Sequence, residues 1–393
     1  MDPVRNPFAP GAGTPPPELA GRASLIEEVE VALGRLALGR STQGSILVGL
    51  RGVGKTVLLV RLKEMAETKG FKVHLAEARE GTTLPELIVP GLRSILFSLS
   101  TIESAKDLSR RAIRVLRGFI NVVKIKVDDI EYGLSVNPET GVADSGDLEV
   151  DLPELFVAIG EAAKAAGKPI ALLIDELQYL SEKEFSSLIM AMHKVSQGNL
   201  PVLLIGAGLP QILGLAGESK SYAERLFKYP KIGALSKEDA ALAISNPIHS
   251  EDGEIDQAAI DRIIEVTEGY PYFIQQWSHD TWNIAQGAMI TIDDVIRADD
   301  VSISKLDESF FRVRFDRCTP SEKRYMRALA ELGSGSHRSG DIADRLGLKT
   351  TSVGPTRGKL IKKGMIYSPQ HGDTAFTVPL FDAYMRRVMA SLD

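Results

Sequence analysis

One octapeptide constrains the fold of this chain more than any other feature. Gly49–Thr56 fits the P-loop pattern G-x-x-x-x-G-K-[ST]. A short apolar segment, Ser45–Val48, precedes it, and a helical pattern over Lys55–Lys69 follows it. A strand, a glycine-rich turn and a helix in this order form a loop that wraps around phosphate groups. The octapeptide therefore predicts an α/β sheet with a phosphate-binding edge.

The residue types in the octapeptide explain its chemistry. Glycines let backbone N–H groups turn inward and approach phosphate oxygens, and the helix that follows adds the positive end of its dipole. Lys55 is placed to reach the β- and γ-phosphates, and the Thr56 hydroxyl to bind Mg²⁺. We therefore expect ATP and Mg²⁺ to bind here. The residues expected to contact the nucleotide in this segment are Gly49, Arg51, Gly52, Val53, Gly54, Lys55, Thr56 and Val57.

An acidic pair follows a second apolar segment. Ile170–Ile174 is entirely apolar and is followed directly by Asp175 and Glu176. A buried strand that ends in two carboxylates is the Walker B arrangement. Asp175 is expected to hold Mg²⁺, and Glu176 to orient and activate the attacking water. Glu176 and Lys55 are thus the first two catalytic candidates, and the pair of motifs predicts ATP hydrolysis.

Strand and helix patterns alternate through the first half of the chain, which predicts a parallel α/β sheet. A leader with six prolines between residues 3 and 17 precedes them. The alternating segment Val122–Val136 predicts a further strand or hairpin. Because Lys55 and Asp175 lie far apart in the sequence, we expect an insertion at about residues 98–152. The strands predicted for the sheet are Ser45–Val48, Phe71–Glu77, Pro169–Ile174 and Pro201–Ile205.

The strand patterns stop after Ser236, which we expect to cap a helix. Helical patterns continue to about residue 297, and the acidic stretch Asp293–Asp307 predicts a connector. The chain is therefore expected to have three domains. These are an α/β nucleotide-binding domain over residues 1–235, an all-α lid over residues 236–300 and a further domain over residues 310–393.

The C-terminal domain resembles a winged helix-turn-helix in the order of its elements. The predicted elements are a helix capped by Thr319, helices over Ser339–Leu346 and Thr350–Lys363, and a hairpin-like wing over Met365–Val378. We expect Gly354-Pro355 to interrupt the third helix.

The net charge is divided unevenly along the chain. The total is −6, but Phe310–Asp393 carries 15 Lys and Arg against 8 Asp and Glu, a net of +7, which leaves −13 for residues 1–309. A basic domain on an acidic body favours a polyanionic partner such as double-stranded DNA. A soluble domain that is basic for other reasons is the alternative. The candidate DNA contacts on the third helix are Arg357, Lys359, Lys362 and Lys363.

Cysteine content and apolar segments restrict the cellular setting. Cys318 is the only cysteine, which excludes an intramolecular disulfide and argues against a cysteine-based zinc site. The N-terminus has no apolar core of a signal peptide, and Val202–Gly217 is too short and too interrupted to span a bilayer. We expect a soluble, cytoplasmic protein without a membrane partner.

These motifs together resemble those of the AAA+ ATPases, specifically the branch shared by origin-recognition-like initiators and STAND-type switch ATPases. The resemblance covers about residues 6–290 and implies a three-layer α/β/α P-loop NTPase core with a helical lid. Its features are the leader Asn6–Phe8 with Pro15–Pro17 and Ala20–Arg22, Walker A at Gly49–Thr56, Walker B at Leu172–Leu180, a sensor 1 segment at Leu204–Pro210, and Gly269–Pro271.

The resemblance implies roles for residues outside the Walker motifs. The leader with Arg22 resembles the segment that covers the adenine, and Pro271 resembles the lid proline that packs near the base. Arg225 resembles an arginine finger that acts catalytically on a neighbouring subunit; a solvated helix arginine is the alternative. Gly206–Gly208 offers no polar side chain where sensor 1 usually has one, so we expect slow hydrolysis.

The sequence favours an ATP-dependent switch that couples nucleotide state to a winged-helix DNA-binding domain, with ATP-dependent homo-oligomerisation as a further expectation. One alternative is a STAND-type signalling or assembly ATPase whose winged helix packs internally or binds protein. The other is a nucleotide-loaded scaffold with slow turnover.

Overall fold

The core of the chain is a parallel β-sheet, seen in a computed structural model that describes residues 1–11, 16, 18–123, 137–219, 223–370 and 372–391. Its strands are β1 (Gly44–Gly49), β2 (Lys72–Glu77), β3 (Ile170–Asp175), β4 (Val202–Gly208), β5 (Phe227–Lys228) and β6 (Lys231–Ile232). They lie in the order β2-β3-β4-β1-β5, and β6 also pairs with β1. The strand before the P-loop is therefore central, and β4 separates it from the strand that ends in Asp175.

Helices cover both faces of this sheet. Successive residues of β3 face opposite sides, so Leu172 and Leu173 belong to different hydrophobic clusters. One cluster joins the sheet to α3–α6, and the other joins it to α1 and α2. The predicted α/β fold with a P-loop NTPase core is confirmed. The helices are α1 (Ala23–Ala37), α2 (Lys55–Thr68), α3 (Leu84–Ser100), α4 (Lys106–Val123), α5 (Leu148–Ala166), α6 (Glu182–Gln197), α7 (Ile212–Ser219) and α8 (Ala223–Leu226).

The region expected to be an insertion is mainly helical up to Val123 and again from Leu148, and residues 137–147 between them are irregular. Val122 and Val123 end α4 rather than beginning a strand, and the rest of the predicted strand lies outside the described residues. Asp147 caps α5 by accepting a hydrogen bond from Glu149 N (3.3 Å). α4 and α5 pack against each other and extend the helical layer on one face of the sheet.

The segment after the sheet, which was predicted to be the lid and is called the lid below, is mainly helical. Ser236 caps its first helix, as predicted, by accepting a hydrogen bond from Asp239 N (3.1 Å). The acidic stretch predicted as a connector is instead a helix packed on its neighbour, where Asp299 accepts a hydrogen bond from Trp277 Nε1 (2.7 Å). The elements are α9 (Lys237–Ser250), β7 (Glu254–Ile255), α10 (Gln257–Thr267), α11 (Pro271–Ile284), β8 (Met289–Ile290) and α12 (Ile292–Lys305). The pairing of β7 with β8 means that the lid is not purely helical.

A π-helix, Leu306–Phe311, and α13 (Arg312–Asp316) lead from the lid to the last part of the chain. The elements that follow are α14 (Pro320–Glu331), β9 (His337–Arg338), α15 (Ser339–Arg345), α16 (Thr350–Lys362), β10 (Ile366–Tyr367), β11 (Asp373–Phe376) and α17 (Phe381–Val388). Thr319 caps α14 as predicted. The interruption predicted at Gly354-Pro355 is wrong, because α16 continues through both residues. β10 and β11 pair antiparallel, and His371, between them, lies outside the described residues.

The lid and the C-terminal elements share one hydrophobic cluster. It runs from Trp277 of the lid through Phe311 of the π-helix to Phe381 and Tyr384 of α17. The two units are therefore packed together, whereas the sheet has clusters of its own.

Candidate active site

The P-loop takes its shape from two glycines. Gly52 and Gly54 have φ angles of +81° and +91°, in the left-handed region that residues with a Cβ rarely adopt. Gly54 is the N-cap of α2, so the loop passes directly into the helix whose N-terminus bears the positive end of the dipole. This is the strand–turn–helix context that the octapeptide predicts.

Lys55 is held inside this loop. Its side chain is buried, and Nζ donates hydrogen bonds to the carbonyl oxygens of Gly49 (2.9 Å) and Leu50 (2.8 Å). Burial lowers the pKa of its ammonium group, while Glu176 and Asp175 oppose the shift. A buried ammonium group held by loop carbonyls is placed to turn toward a phosphate at the same loop.

The two Walker motifs meet across the sheet. Thr56 Oγ1 donates a hydrogen bond of 2.6 Å to Asp175 Oδ2, and Glu176 N donates one of 2.8 Å to Asp175 Oδ1. Burial raises the pKa of Asp175, and the Thr56 bond acts against that shift. Residues 119 positions apart in the sequence thus come within hydrogen-bond distance at one edge of the sheet.

Glu176 lies beside this pair in a strained conformation. Its φ of +54° and ψ of +38° place a non-glycine residue in the left-handed region, at the start of the 3₁₀ turn Leu177–Tyr179. Gln178 Nε2 donates a hydrogen bond to Glu176 Oε2, and Gln178 Oε1 accepts one from Leu209 N (3.0 Å). Sequence analysis missed Gln178, which links Glu176 to the end of β4.

The apolar residues at the sensor 1 position have a packing reason. A Cβ at position 206 would overlap the Leu177 side chain, and one at position 208 would lie 3.0 Å from Gln178 Oε1. The glycines in β4 therefore make room for the turn that carries Glu176. Gln178 brings a polar group to the end of β4, where the strand's own residues bring none.

A cavity of about 470 Å³ opens above the P-loop, within the usual size of a small-ligand site. Gly49, also a predicted nucleotide contact, does not line the cavity, and its carbonyl oxygen accepts a hydrogen bond from Lys55 Nζ (2.9 Å). Glu176 also lines the cavity. The other predicted nucleotide contacts that line it are Arg22, Arg51, Gly52, Val53, Gly54, Lys55, Thr56, Val57 and Pro271.

The leader closes one side of the cavity and is attached to the lid. Phe8 is buried in the lid core, and Asn6 Nδ2 donates to the carbonyl oxygen of His279 (3.0 Å). Residues 9–11 and Pro16 line the cavity, whereas Pro15 and Pro17 lie outside the described residues. Arg22 Nη2 donates to Gly233 O (2.6 Å), and burial lowers the pKa of its guanidinium group.

Three cavity residues outside the motifs were not predicted from the sequence. Tyr272 N donates to Gly52 O (3.1 Å), which ties the lid to the P-loop. The Tyr272 ring stacks on Phe310 with 4.6 Å between ring centroids, and Arg314 lies over Phe310 at 4.0 Å. Phe310 and Arg314 also line the cavity. Of these three residues, only Tyr272 had a sequence signal, because it directly follows Pro271.

Arg225 lies away from this cavity. Its side chain is exposed in α8, and its carbonyl oxygen accepts a hydrogen bond from Gln43 Nε2 (2.8 Å). That region adjoins the amino end of β1, where Gly44 pairs with Phe227, whereas the P-loop follows the carboxyl end. Arg225 is therefore remote from the P-loop of its own chain. Tyr222, part of the same predicted segment, lies outside the described residues.

The four candidate DNA contacts on and after α16 fall into two groups. Arg357 donates to Thr374 Oγ1 (2.9 Å) and Asp373 O (2.7 Å), and Lys363 pairs with Glu322 (2.7 Å). Lys359 and Lys362 are exposed. Arg357 and Lys363 therefore make bonds within the domain, whereas Lys359 and Lys362 are free to contact a partner.

In the described part of the chain, no group of three or more His, Cys, Asp or Glu residues is arranged to hold a metal ion. No single described helix is long and apolar enough to cross a membrane, although the bent pair Leu84–Ser100 and Glu103–Val123 would qualify by length and composition.

Comparisons with known proteins agree with this geometry. Residues 18–205 match the family model of the AAA ATPase domain, and residues 308–385 match a domain of unknown function (DUF8462). No curated protein sequence matches the chain.

Two solved structures illustrate the likeness of fold. A Walker-type ATPase of Pyrococcus abyssi matches with a TM-score of 0.58 and 16% identity, over 95% of this chain and 97% of that chain. The ORC1 protein of Aeropyrum pernix, solved in complex with DNA, matches with a TM-score of 0.48 and 14% identity, over 95% of this chain and 94% of that chain. The first likeness supports the fold alone, and the second is too weak to support an argument. The family match over residues 18–205, together with the P-loop and the Thr56–Asp175 contact, identifies an AAA+ P-loop ATPase domain in this chain.

Proposed function

We propose that this protein binds and hydrolyses ATP and uses the nucleotide state to place its C-terminal domain. The observation that carries the proposal is the contact of 2.6 Å between Oγ1 of Thr56, which lines the cavity, and Asp175 Oδ2. It brings together a hydroxyl and a carboxylate beside the P-loop and Lys55, which is the arrangement that phosphoryl transfer requires.

The residues present fit a Mg²⁺ ion. Thr56 and Asp175 supply two oxygen ligands already in contact with each other, and Mg²⁺ commonly takes one or two protein oxygens and completes its shell with phosphate and water. These two residues would hold the ion, which neutralises phosphate charge when bound.

The chain's own groups have separate tasks in hydrolysis. Backbone N–H groups of Gly52–Thr56 and the Lys55 ammonium group hold the phosphates. The Glu176 carboxylate orients a water molecule and accepts its proton as the oxygen attacks phosphorus, and ADP leaves. Gln178 fixes the Glu176 carboxylate through its hydrogen bond. Slow turnover is expected, because Gly206–Gly208 offers no polar side chain to the terminal phosphate.

Replacing Glu176 tests the hydrolysis. Glu176→Gln keeps the shape of the side chain but cannot accept a proton, so the hydrolysis rate is expected to fall by about 100- to 10,000-fold. ATP affinity should stay close to that of the wild type. Phosphate release measures the rate, and isothermal titration measures the affinity. Glu182→Gln, at an exposed position at the start of α6, serves as the control. Equal rates for Glu176→Gln and wild type would remove Glu176 as the base.

The C-terminal domain is proposed to be a winged helix that binds double-stranded DNA. Its helices α14, α15 and α16 are followed by the β10–β11 hairpin, the order expected of that fold. Lys349, Lys359 and Lys362 are exposed on or next to α16, and none has an ion-pair partner among the described residues. Binding is measured by titrating duplex DNA at several salt concentrations with ATP, with ADP and without nucleotide. The absence of binding in all three would exclude this half of the proposal.

A specific contact favours a second function, a STAND-type signalling ATPase or slow scaffold whose C-terminal domain packs internally. Arg51 N, in the P-loop, donates a hydrogen bond of 3.0 Å to Thr377 O of the C-terminal domain. Arg317 also pairs with Glu80 (3.7 Å) across the same boundary. ATP-dependent assembly without DNA affinity would favour this function. In such an assembly Arg225 is proposed to act as a finger on a neighbouring copy, since it is exposed and remote from its own P-loop.

A further inference from the structure

One positively charged side chain that lines the cavity lies far from the Walker motifs in the sequence. The positively charged residues that line it are Arg22, Arg51, Lys55 and Arg314. The first three lie near or within the P-loop, whereas Arg314 belongs to α13, between the lid and the C-terminal elements. It is also outside the stretch that matches the AAA ATPase domain.

The Arg314 guanidinium group has no carboxylate partner among the described residues. Nη1 donates to Phe310 O, and the group lies over the Phe310 ring at 4.0 Å. Nε is buried without a hydrogen-bond partner. Burial lowers the pKa of Arg314 to about 10, and repulsion from Arg51 adds to the shift. The group therefore stays charged at neutral pH, and a partly buried charge of this kind is stabilised by an anion.

Arg51, in the P-loop, also indicates that an anion binds in this cavity. Its Nη2 donates to Tyr179 Oη (3.0 Å), but its Nε is buried without a partner. Two like charges directed toward one cavity repel each other, and an anion between them would remove that repulsion. Glu176, beside which the attacking water is proposed to bind, lines the same cavity as Arg314.

Residues 306–317, called the connector below, comprise the π-helix, α13 and Arg317, and they are also attached to the C-terminal domain. Phe311 stacks on Tyr384 with 5.2 Å between ring centroids, and Asp307 pairs with Arg387 at 2.6 Å. The carbonyl oxygen of Arg317 accepts a hydrogen bond from Lys363 Nζ (3.0 Å). The connector begins with a π-helix, an element often found at functional sites. One short segment therefore contacts both the cavity and the C-terminal domain.

We propose that Arg314 binds the terminal phosphate of the nucleotide held by its own chain, so that the connector transmits the difference between ATP and ADP to the C-terminal domain. This inference rests on the proposed nucleotide binding. The guanidinium group gains a charge-assisted hydrogen bond only when a third phosphate is present. Bringing Arg314 to that phosphate also moves Phe311 and Arg317, which are packed on the C-terminal elements.

The test compares the affinities for a triphosphate and a diphosphate in the full-length chain. Arg314→Gln is titrated calorimetrically with AMP-PNP and with ADP in the presence of Mg²⁺. We expect affinity for AMP-PNP to fall by about 10-fold and affinity for ADP to change by less than about 2-fold, since the substitution removes one charge-assisted hydrogen bond. Arg312→Gln is the matched control, because Arg312 is an exposed neighbour on α13 that pairs with Asp316.

A second readout separates signalling from a structural role. In the wild type, AMP-PNP and ADP should give different rates of proteolysis within residues 306–319, and Arg314→Gln should abolish that difference. Arg314→Lys retains the charge and is expected to retain part of the preference for AMP-PNP; it also serves if Arg314→Gln does not fold. An equal decrease in AMP-PNP and ADP affinity, or an unchanged preference, would overturn the inference. If the wild type binds neither nucleotide, the proposed function itself fails.

Discussion

The phosphate-binding edge of the sheet and the basic C-terminal domain use charge in opposite ways. At the sheet edge the charges are few and buried: Lys55 is 6% exposed and held by loop carbonyls, and Asp175 is 4% exposed and held by Thr56. In the C-terminal domain charges are numerous, but at least seven of its 15 basic residues are in ion pairs with carboxylates.

This difference separates two kinds of sequence information. A buried charge in a P-loop has its surroundings set by the adjacent backbone, so a local motif is enough to indicate its role. A surface charge depends on neighbours that are distant in the sequence. Lys363 and Glu322 lie 41 residues apart, yet their pairing at 2.7 Å neutralises a lysine that the net charge alone would count as free.

Removing the buried cation is the strongest way to test the comparison. Lys55→Ala is expected to lower ATP affinity by about 100-fold, because it removes charge-assisted hydrogen bonds to phosphate that are worth roughly 1.5–3 kcal/mol each. Isothermal titration measures the affinity. Lys63→Ala is the matched control, since the Lys63 side chain is on the same helix but is 38% exposed and pairs with Glu67 at 3.5 Å. An unchanged affinity in Lys55→Ala would show that the phosphates bind elsewhere.

The sequence predicted most of the sheet and the two motifs because both depend on local patterns. β1, β2, β3 and β4 lie within a few residues of their predicted positions, since each is an apolar run bounded by turns or charged residues. The prediction of a connector at Asp293–Asp307 is wrong, because acidic residues of this segment are bound by other parts of the lid. Asp299 is bound by Trp277 and Arg262, so α12 packs against the lid despite its charge.

The part of the site that the sequence did not predict is formed by long-range packing. Arg314 reaches the cavity through a π-helix and α13, and no motif marks either element. Gln178 is only two residues from Glu176, but its role depends on the left-handed backbone at Glu176 and on the glycines of β4. Neither condition can be inferred from spacing.

Gln178 offers a smaller test of the buried edge. Gln178→Ala leaves Glu176 without the hydrogen bond that orients it, so the hydrolysis rate is expected to fall by about 10-fold, less than the roughly 100-fold that a misplacement of 1 Å can cost. ATP affinity should not change, because Gln178 is not part of the P-loop. Steady-state kinetics separate kcat from KM, and Gln257→Ala at an exposed lid position is the control. A change confined to KM would contradict a positioning role.

The exposed lysines test the other side of the comparison, if the C-terminal domain binds DNA as proposed. Replacing both Lys359 and Lys362 with Gln should reduce the slope of log affinity against log salt by about two, since each lysine that binds a phosphate adds about one to the slope. Fold stability should not change, because both side chains are exposed. Lys168→Gln, an exposed position in the ATPase domain, should leave the slope as it is.

Arg357→Gln is expected to lower stability without changing the salt slope, which is the reverse of the lysine replacements. It therefore tests whether DNA binding depends on the total charge of the domain or only on charges that are not bonded within it. Its guanidinium group donates to Thr374 Oγ1, Ser368 Oγ and Asp373 O, which links α16 to the hairpin. Removing these bonds should destabilise the chain by roughly 1–3 kcal/mol, measured as a lower Tm, and should leave the salt slope nearly unchanged. If Arg357→Gln instead lowers the slope as much as a lysine replacement while Tm stays the same, Arg357 contacts phosphate and the internal bonds do not retain it. The charges of the two regions would then differ in number but not in kind.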